Sequence, residues 1–251
     1  MTAFLLAVAS PAHADISTGL VGWWKFEDGS GVSAVDSSGS GNTGTLANGP
    51  TWTTGKVSKA VSFDGSNDYV SVPYTSKLAP ASAVSFGAWF KVINKANSQV
   101  IISKTESGGY NIGLNNSSGA CASSTSVCGL VNVGGTYYPV DYAVSNLSND
   151  TWYRADVTYD NETVKLYLNA VIVASNTNPS GNISYTENNT LCVGSEASGV
   201  APGTCVGALF NGSIDDVRIY NRALSAQDVA DLYGPGILLR NAHIGSGKFN
   251  F

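Results

Sequence analysis

FNGSIDDVRIYNRALSAQDVADLYG, Phe210–Gly234, reads as a long strand running into a short helix. Side chains alternate faces along a strand, so Asp215 is expected to share a face with Val217 and Ile219, and Asp216 to share the other with Ile214 and Arg218. Asp216 can lean on Arg218. Asp215 then stands on an apolar face, where a carboxylate is costly unless it is hydrogen-bonded, paired or bound to a cation. The helix opens at Ser225, whose hydroxyl can cap the amide of Asp228 while the Asp228 carboxylate answers back. Leu224 and Val229 stand where a hydrophobic staple would, and Gly-Pro-Gly at 234–236 stops the helix.

Working outward, AVSFGAWFKV alternates cleanly, with Val84, Phe86, Ala88 and Phe90 on one side. KAVSFDGSNDYVSVP holds two short strands around an Asp-Gly turn. TWYRADVTYDNETVKLYLNAVIVAS gives three strands of a meander, turning at Asp160-Asn161 and Asn169-Ala170. The first strand is GLVGWWKF, with Trp24 and Phe26 as core residues, and a loop dense in Gly, Ser, Asp and Asn follows it. The 251 residues include 28 Gly, 12 Tyr and a single Met, a composition that favours strands and turns over helices. Strands at this spacing with turns between them point to an all-β sandwich in one large domain, residues 15–234.

The charge is modest: −5 net, with 13 Lys and Arg spread without a basic cluster. That excludes a nucleic-acid footprint and a basic face for a membrane surface. The apolar run from Ala3 to Ala9 followed by Ala12-His13-Ala14 reads as the core and cleavage site of a signal peptide over residues 1–14. The run is too short to span a bilayer, so membrane insertion is not expected. Residues 235–251 have no assigned partner and read as a tail or the start of a further module.

Four cysteines allow three pairings. They fall as two local pairs, Cys121 with Cys128 and Cys192 with Cys205, each bracketing a Gly/Ser/Thr-rich stretch. Local pairing is therefore the expectation. The spacings suit neither zinc nor a redox Cys-x-x-Cys, and two structural disulfides accord with a secreted or cell-surface protein.

Six segments, in order, resemble the LamG-like jelly-roll domains of the concanavalin A-like lectin/glucanase superfamily. They are GLVGWWKFEDGSG, DSSGSGNTGTL, AVSFDGSNDYVSVP, VSFGAWFK, TWYRADVTYDNETVKLYLN and FNGSIDDVRIYNRALSAQDV. The resemblance implies two antiparallel sheets packed face to face, a two-sheet jelly roll with one short C-terminal helix. It also implies a structural calcium ion, held partly by the loop DSSGSGN and partly by an acidic residue of the last strand. Carried onto this chain, the ligands are Asp36, Asn42 and Asp215, with Asp64 and Asp68 a weaker second choice.

Glycosidase chemistry asks for two carboxyl groups about 5–5.5 Å apart in a retaining enzyme. Of the five glutamates, Glu27, Glu106, Glu162, Glu187 and Glu196, one has an acid two or four residues away, Glu162 with Asp160, and that pair belongs to the Asp160-Asn161 turn rather than to a strand face. His13 and His243 lie outside the domain, which leaves no Ser-His or Cys-His pair. The chain is therefore read as a non-catalytic module whose partner is a glycan or another protein at a cell surface. Sugars stack on exposed aromatic rings, and the candidates are Tyr137, Tyr138 and Tyr142 in VGGTYYPVDY and Trp52 in GPTWTTG. The alternatives are an adhesive module without a small ligand and a divergent glycosidase or polysaccharide lyase.

Overall fold

A computed structural model describes residues 15–104, 108–115, 121, 125–185, 189–197 and 204–234. The expected signal segment and tail lie outside these residues. The strands, in chain order, are β1 (Leu20–Trp24), β2 (Ser33–Ala34), β3 (Gly44–Ala47), β4 (Thr51–Thr54), β5 (Lys59–Asp64), β6 (Tyr69–Val72), β7 (Val84–Val92), β8 (Gln99–Ser103), β9 (Tyr110–Leu114), β10 (Ser126–Val133), β11 (Thr136–Ala143), β12 (Trp152–Tyr159), β13 (Val164–Leu168), β14 (Val171–Asn176), β15 (Leu191–Val193) and β16 (Asn211–Tyr220). The helix α1 (Ala226–Tyr233) follows them.

They form two antiparallel sheets of a jelly roll. One runs β14-β13-β12-β7-β16-β5-β4, with β1 also on β16. It carries α1 on its outward side and is called here the helix-bearing sheet. The other runs β11-β10-β9-β8-β15-β6-β3-β2 and carries both disulfides. The alternation read from sequence holds: Val84, Phe86, Ala88, Phe90, Val157, Tyr159, Val164 and Leu166 all lie in the core between the sheets. Gly129 faces that core, where a Cβ would meet Val157 at 2.3 Å, so the sheets approach there only because no side chain stands at 129.

The last strand departs from simple alternation. β5 pairs with Ile214 and the three residues before it, β1 pairs with Val217–Tyr220, and the register against β7 slips between Asp215 and Arg218. Asp216 supplies the extra residue at φ 49°, a β-bulge. As a result Ile214, Val217 and Ile219 all enter the core. Asp215, register partner of Trp89, is carried to the outward side with Asp216 and Arg218. The expectation that Asp215 shares a face with Val217 and Ile219 is thus corrected: the bulge adds one residue and flips the face.

The helix forms as read. Ser225 Oγ accepts from Asp228 N, and Asp228 accepts from Ser225 N at 2.8 Å, a complete capping box. Leu224, Val229 and Leu232 close over Tyr167 and Tyr220 in a second, smaller apolar cluster. Among the described residues no helix is long and apolar enough to cross a membrane.

Candidate functional site

Two outward faces carry chemistry. On the helix-bearing sheet the bulge builds a buried charge network. Arg154 donates from Nε and Nη2 to the two oxygens of Asp156 at 2.9 and 2.8 Å, and from Nη1 to Asp216 at 3.0 Å. Arg218 Nε and the Trp23 indole donate to the other Asp216 oxygen at 3.0 and 2.6 Å. Gly87 makes room for this, since a Cβ there would stand 2.1 Å from Asp156 Oδ1. Two cations and two carboxylates interlock and cancel, so these acids are fixed as structural ion pairs. The Asp216–Arg218 contact was legible in sequence. Arg154 and Asp156 were not, because their meeting with β16 depends on register across β7.

Asp215 lies at the gap between β5 and β1, against the turn before β5. Its Oδ2 accepts from Val57 N at 2.8 Å, while Oδ1 is buried without a hydrogen-bond partner. Burial, with the charges of Asp216 and Glu27 adding to it, pushes its pKa up to about 8.

The other two expected calcium ligands are spent locally. Asp36 accepts from Trp23 N, Ser38 N, Ser38 Oγ and Asn42 N at 2.8–3.0 Å, one donor for each lone-pair position of a carboxylate. Asn42 donates to Val21 O at 2.7 Å and accepts from Thr75 Oγ1 at 2.8 Å. As they stand, the three do not fit one shared calcium ion. Of their oxygens, Asp215 Oδ1 is the one buried without a partner. In the second-choice pair, Asp64 accepts from Ser66 N and Asp68 accepts from Asp64 N, which is turn chemistry.

The four aromatic candidates do not form one platform. Tyr138 and Tyr142 point inward against the core. Trp52 lies on β4, the edge of the helix-bearing sheet opposite β14; it packs against the core, and its indole donates to Gly31 O. Tyr137 faces outward on β11, with its hydroxyl accepting from Gly108 N at 3.1 Å.

Tyr137 thereby joins the outward face of the disulfide-bearing sheet. Register aligns Pro139, Leu130, Asn111, Ser103, Cys192 and Ser71 in one row across six strands. A neighbouring row runs Asp141, Cys128, Gly113 and Val100. The disulfides Cys121–Cys128 and Cys192–Cys205, paired as the spacing predicts, both stand on this face, on β10 and β15. Ser126 donates to Asp141 at 2.6 Å, and Ser103 Oγ accepts from Ala197 N. Sequence reading passed over Asn111, Asn132 and Ser103. Part of the signal was there in YNIGL and SVCGLVNV, where Asn111 and Gly113, and Ser126, Cys128 and Asn132, alternate with apolar or small residues, with Leu130 breaking the pattern.

The profile of the concanavalin A-like lectin/glucanases superfamily matches residues 64–230. A comparison with curated proteins finds no match. Among solved structures, the chain is similar to the binding domain of Paraclostridial Mosquitocidal Protein 1, with TM-score 0.66 and 16% identity over 87% of this chain and 52% of that one. It is also similar to the botulinum neurotoxin serotype D binding domain, with TM-score 0.64 and 16% identity over 90% and 53%. The third is domain 4 of AbnA, a GH43 extracellular arabinanase from Geobacillus stearothermophilus, in complex with arabinotriose, with TM-score 0.58 and 20% identity over 86% and 98%. The chain spans about half the length of the toxin domains it matches, and at these identities the likeness is one of fold. The strand order, the two-sheet packing and the profile match agree: the chain belongs to the concanavalin A-like lectin/glucanase superfamily.

Proposed function

We propose that this domain is a non-catalytic binding module, presented outside the cell, that takes a glycan on the outward face of the disulfide-bearing sheet. One observation carries the reading. The strands of that sheet contain a single carboxylate residue, Asp141, and no Lys or Arg; in its outward rows Tyr137 and Ser71 are partly exposed, whereas Asn111, Asn132 and Ser103 are buried. Amides and hydroxyls match sugar hydroxyls in hydrogen-bond capacity. A lone carboxylate supplies neither a retaining nor an inverting pair. The likeness to an arabinanase domain solved with arabinotriose supports a neutral oligosaccharide as the first probe. Two disulfides on this face favour an oxidising compartment.

A second reading, an adhesive module for a protein partner, has the toxin binding domains in its favour. Calcium enters the proposal only at Asp215, where the buried, unpartnered Oδ1 suits a hard cation.

The test is an oligosaccharide array followed by calorimetric titration of the best neutral binder, with arabinotriose included. Tyr137→Ala should weaken binding about tenfold, a loss of order 1.4 kcal/mol, and leave the melting temperature within a few degrees. Absence of any glycan binding, or binding indifferent to this change, overturns the reading.

A further inference from the structure

Neither sheet closes on itself, and an edge strand offers its unpaired main-chain groups to any strand that can reach them. The edges are β14 and β4 on the helix-bearing sheet and β11 and β2 on the other, and β1 adds one beside β16. All but one are guarded. β2 is two residues long, β11 carries Pro139 and Asp141, and β1 is bridged on its outer side at Trp24–Asp36. β4 is four residues, TWTT, set between Pro50 and Lys56. β14 differs. It runs six residues, VIVASN, with no charge and no proline, and Val171 and Ile172 are 63% and 49% exposed. Among the described residues its only strand partner is β13.

Hairpin geometry says which groups are free. Leu168 and Val171 flank the two-residue Asn169-Ala170 turn and hydrogen-bond to each other across it, so Ile172, the next residue, turns its N–H and C=O away from β13. Ile172 is the register partner of Tyr167, which puts its side chain on the outward side of the sheet. Val173 is the extra residue of a bulge against β13, which bends the strand and confines the free ladder to the hairpin end.

We propose that two copies of this chain pair antiparallel through β14, Ile172 of one opposite Ile172 of the other, in a two-fold dimer whose helix-bearing sheets run on through the contact. A free edge is satisfied by another free edge, and each copy brings one. In an antiparallel pair, a residue set opposite its own image exchanges both N–H···O=C bonds with it, so the two-fold arrangement satisfies both main-chain groups of Ile172 at once. An uncharged strand meets its image without like-charge repulsion. With the other edges guarded, the contact closes at two copies and does not propagate into a filament. The ladder is short, so the dimer is reversible and follows protein concentration. This contact is independent of the glycan reading.

Sedimentation equilibrium of the purified protein from about 1 μM to about 1 mM should show the mean mass rising from one chain towards two and no further. Amide exchange at Ile172 should slow over the same range, while that at Thr53 on β4 stays constant. Ile172→Pro removes the outward N–H without touching the β13 ladder, and Ile172→Lys puts a charge on the edge. Each should keep the protein monomeric at every concentration, with a melting temperature within a few degrees of wild type; if the proline variant unfolds, the lysine variant decides. Thr53→Lys should leave association unchanged. A mass that stays at one chain throughout, grows past two, or still reaches two in Ile172→Lys overturns the proposal.

Discussion

Asp216 accepts hydrogen bonds from Trp23, Arg154 and Arg218, whereas its neighbour Asp215 keeps one buried oxygen with no partner. That difference predicts how stability follows pH. Folded, the Asp215 carboxyl holds its proton up to about pH 8; unfolded, it releases it near pH 4, about the ordinary Asp value. Between those limits the native state binds more protons than the unfolded one, so stability falls as pH rises. Urea unfolding with chelator present should show this loss between pH 5 and pH 8, and Asp215→Asn should flatten it. Added Ca²⁺ should restore wild-type stability at pH 8 if a cation sits on Oδ1, because it favours the ionised carboxylate. Wild type and Asp215→Asn falling in parallel would contradict the raised carboxyl. The sequence showed that Asp215 needed an explanation but placed it on the wrong face. A bulge leaves no mark in a hydrophobic pattern unless a glycine announces it, and here the left-handed residue is Asp216.

At the scale of single elements, local chemistry was the most legible part. The α1 capping box, the Asp160-Asn161 turn and the β12–β13–β14 meander all form from residues close in sequence. The Asn169-Ala170 turn adds a consequence. Both residues have positive φ, 52° and 65°, as a two-residue type I′ hairpin requires. Asn tolerates that region, but a β-carbon at Ala170 does not. Ala170→Gly should therefore stabilise the protein by about 0.5–1 kcal/mol, the size of effect a relieved left-handed position gives. Chemical denaturation would measure it, and a loss of stability would show that the Ala170 contact with the helix cluster outweighs the strain.

Across the whole molecule, the two-sheet architecture was readable because alternation and turn chemistry repeat along the chain. The disulfide pairing was readable because each bridge is local. The binding face was not. Ser71 and Pro139 lie far apart in sequence and share a row only through the register of β6, β15, β8, β9, β10 and β11. The aromatic residues that drew attention, Tyr138, Tyr142 and Trp52, serve the core instead. Both disulfides stand on one face, while on the opposite sheet Arg154, Asp156, Asp216 and Arg218 are locked in ion pairs. On the proposed function, binding falls to the disulfide-bearing side of the sandwich, while the ion pairs stabilise the other. Amide chemical-shift mapping with the tightest glycan from the array tests it most directly. The account predicts that the largest perturbations fall on β10 and β11, centred on the partly exposed Tyr137, Pro139 and Asp141. Perturbations centred on Trp52 or on the Arg154–Asp216 network, with those strands silent, would contradict it.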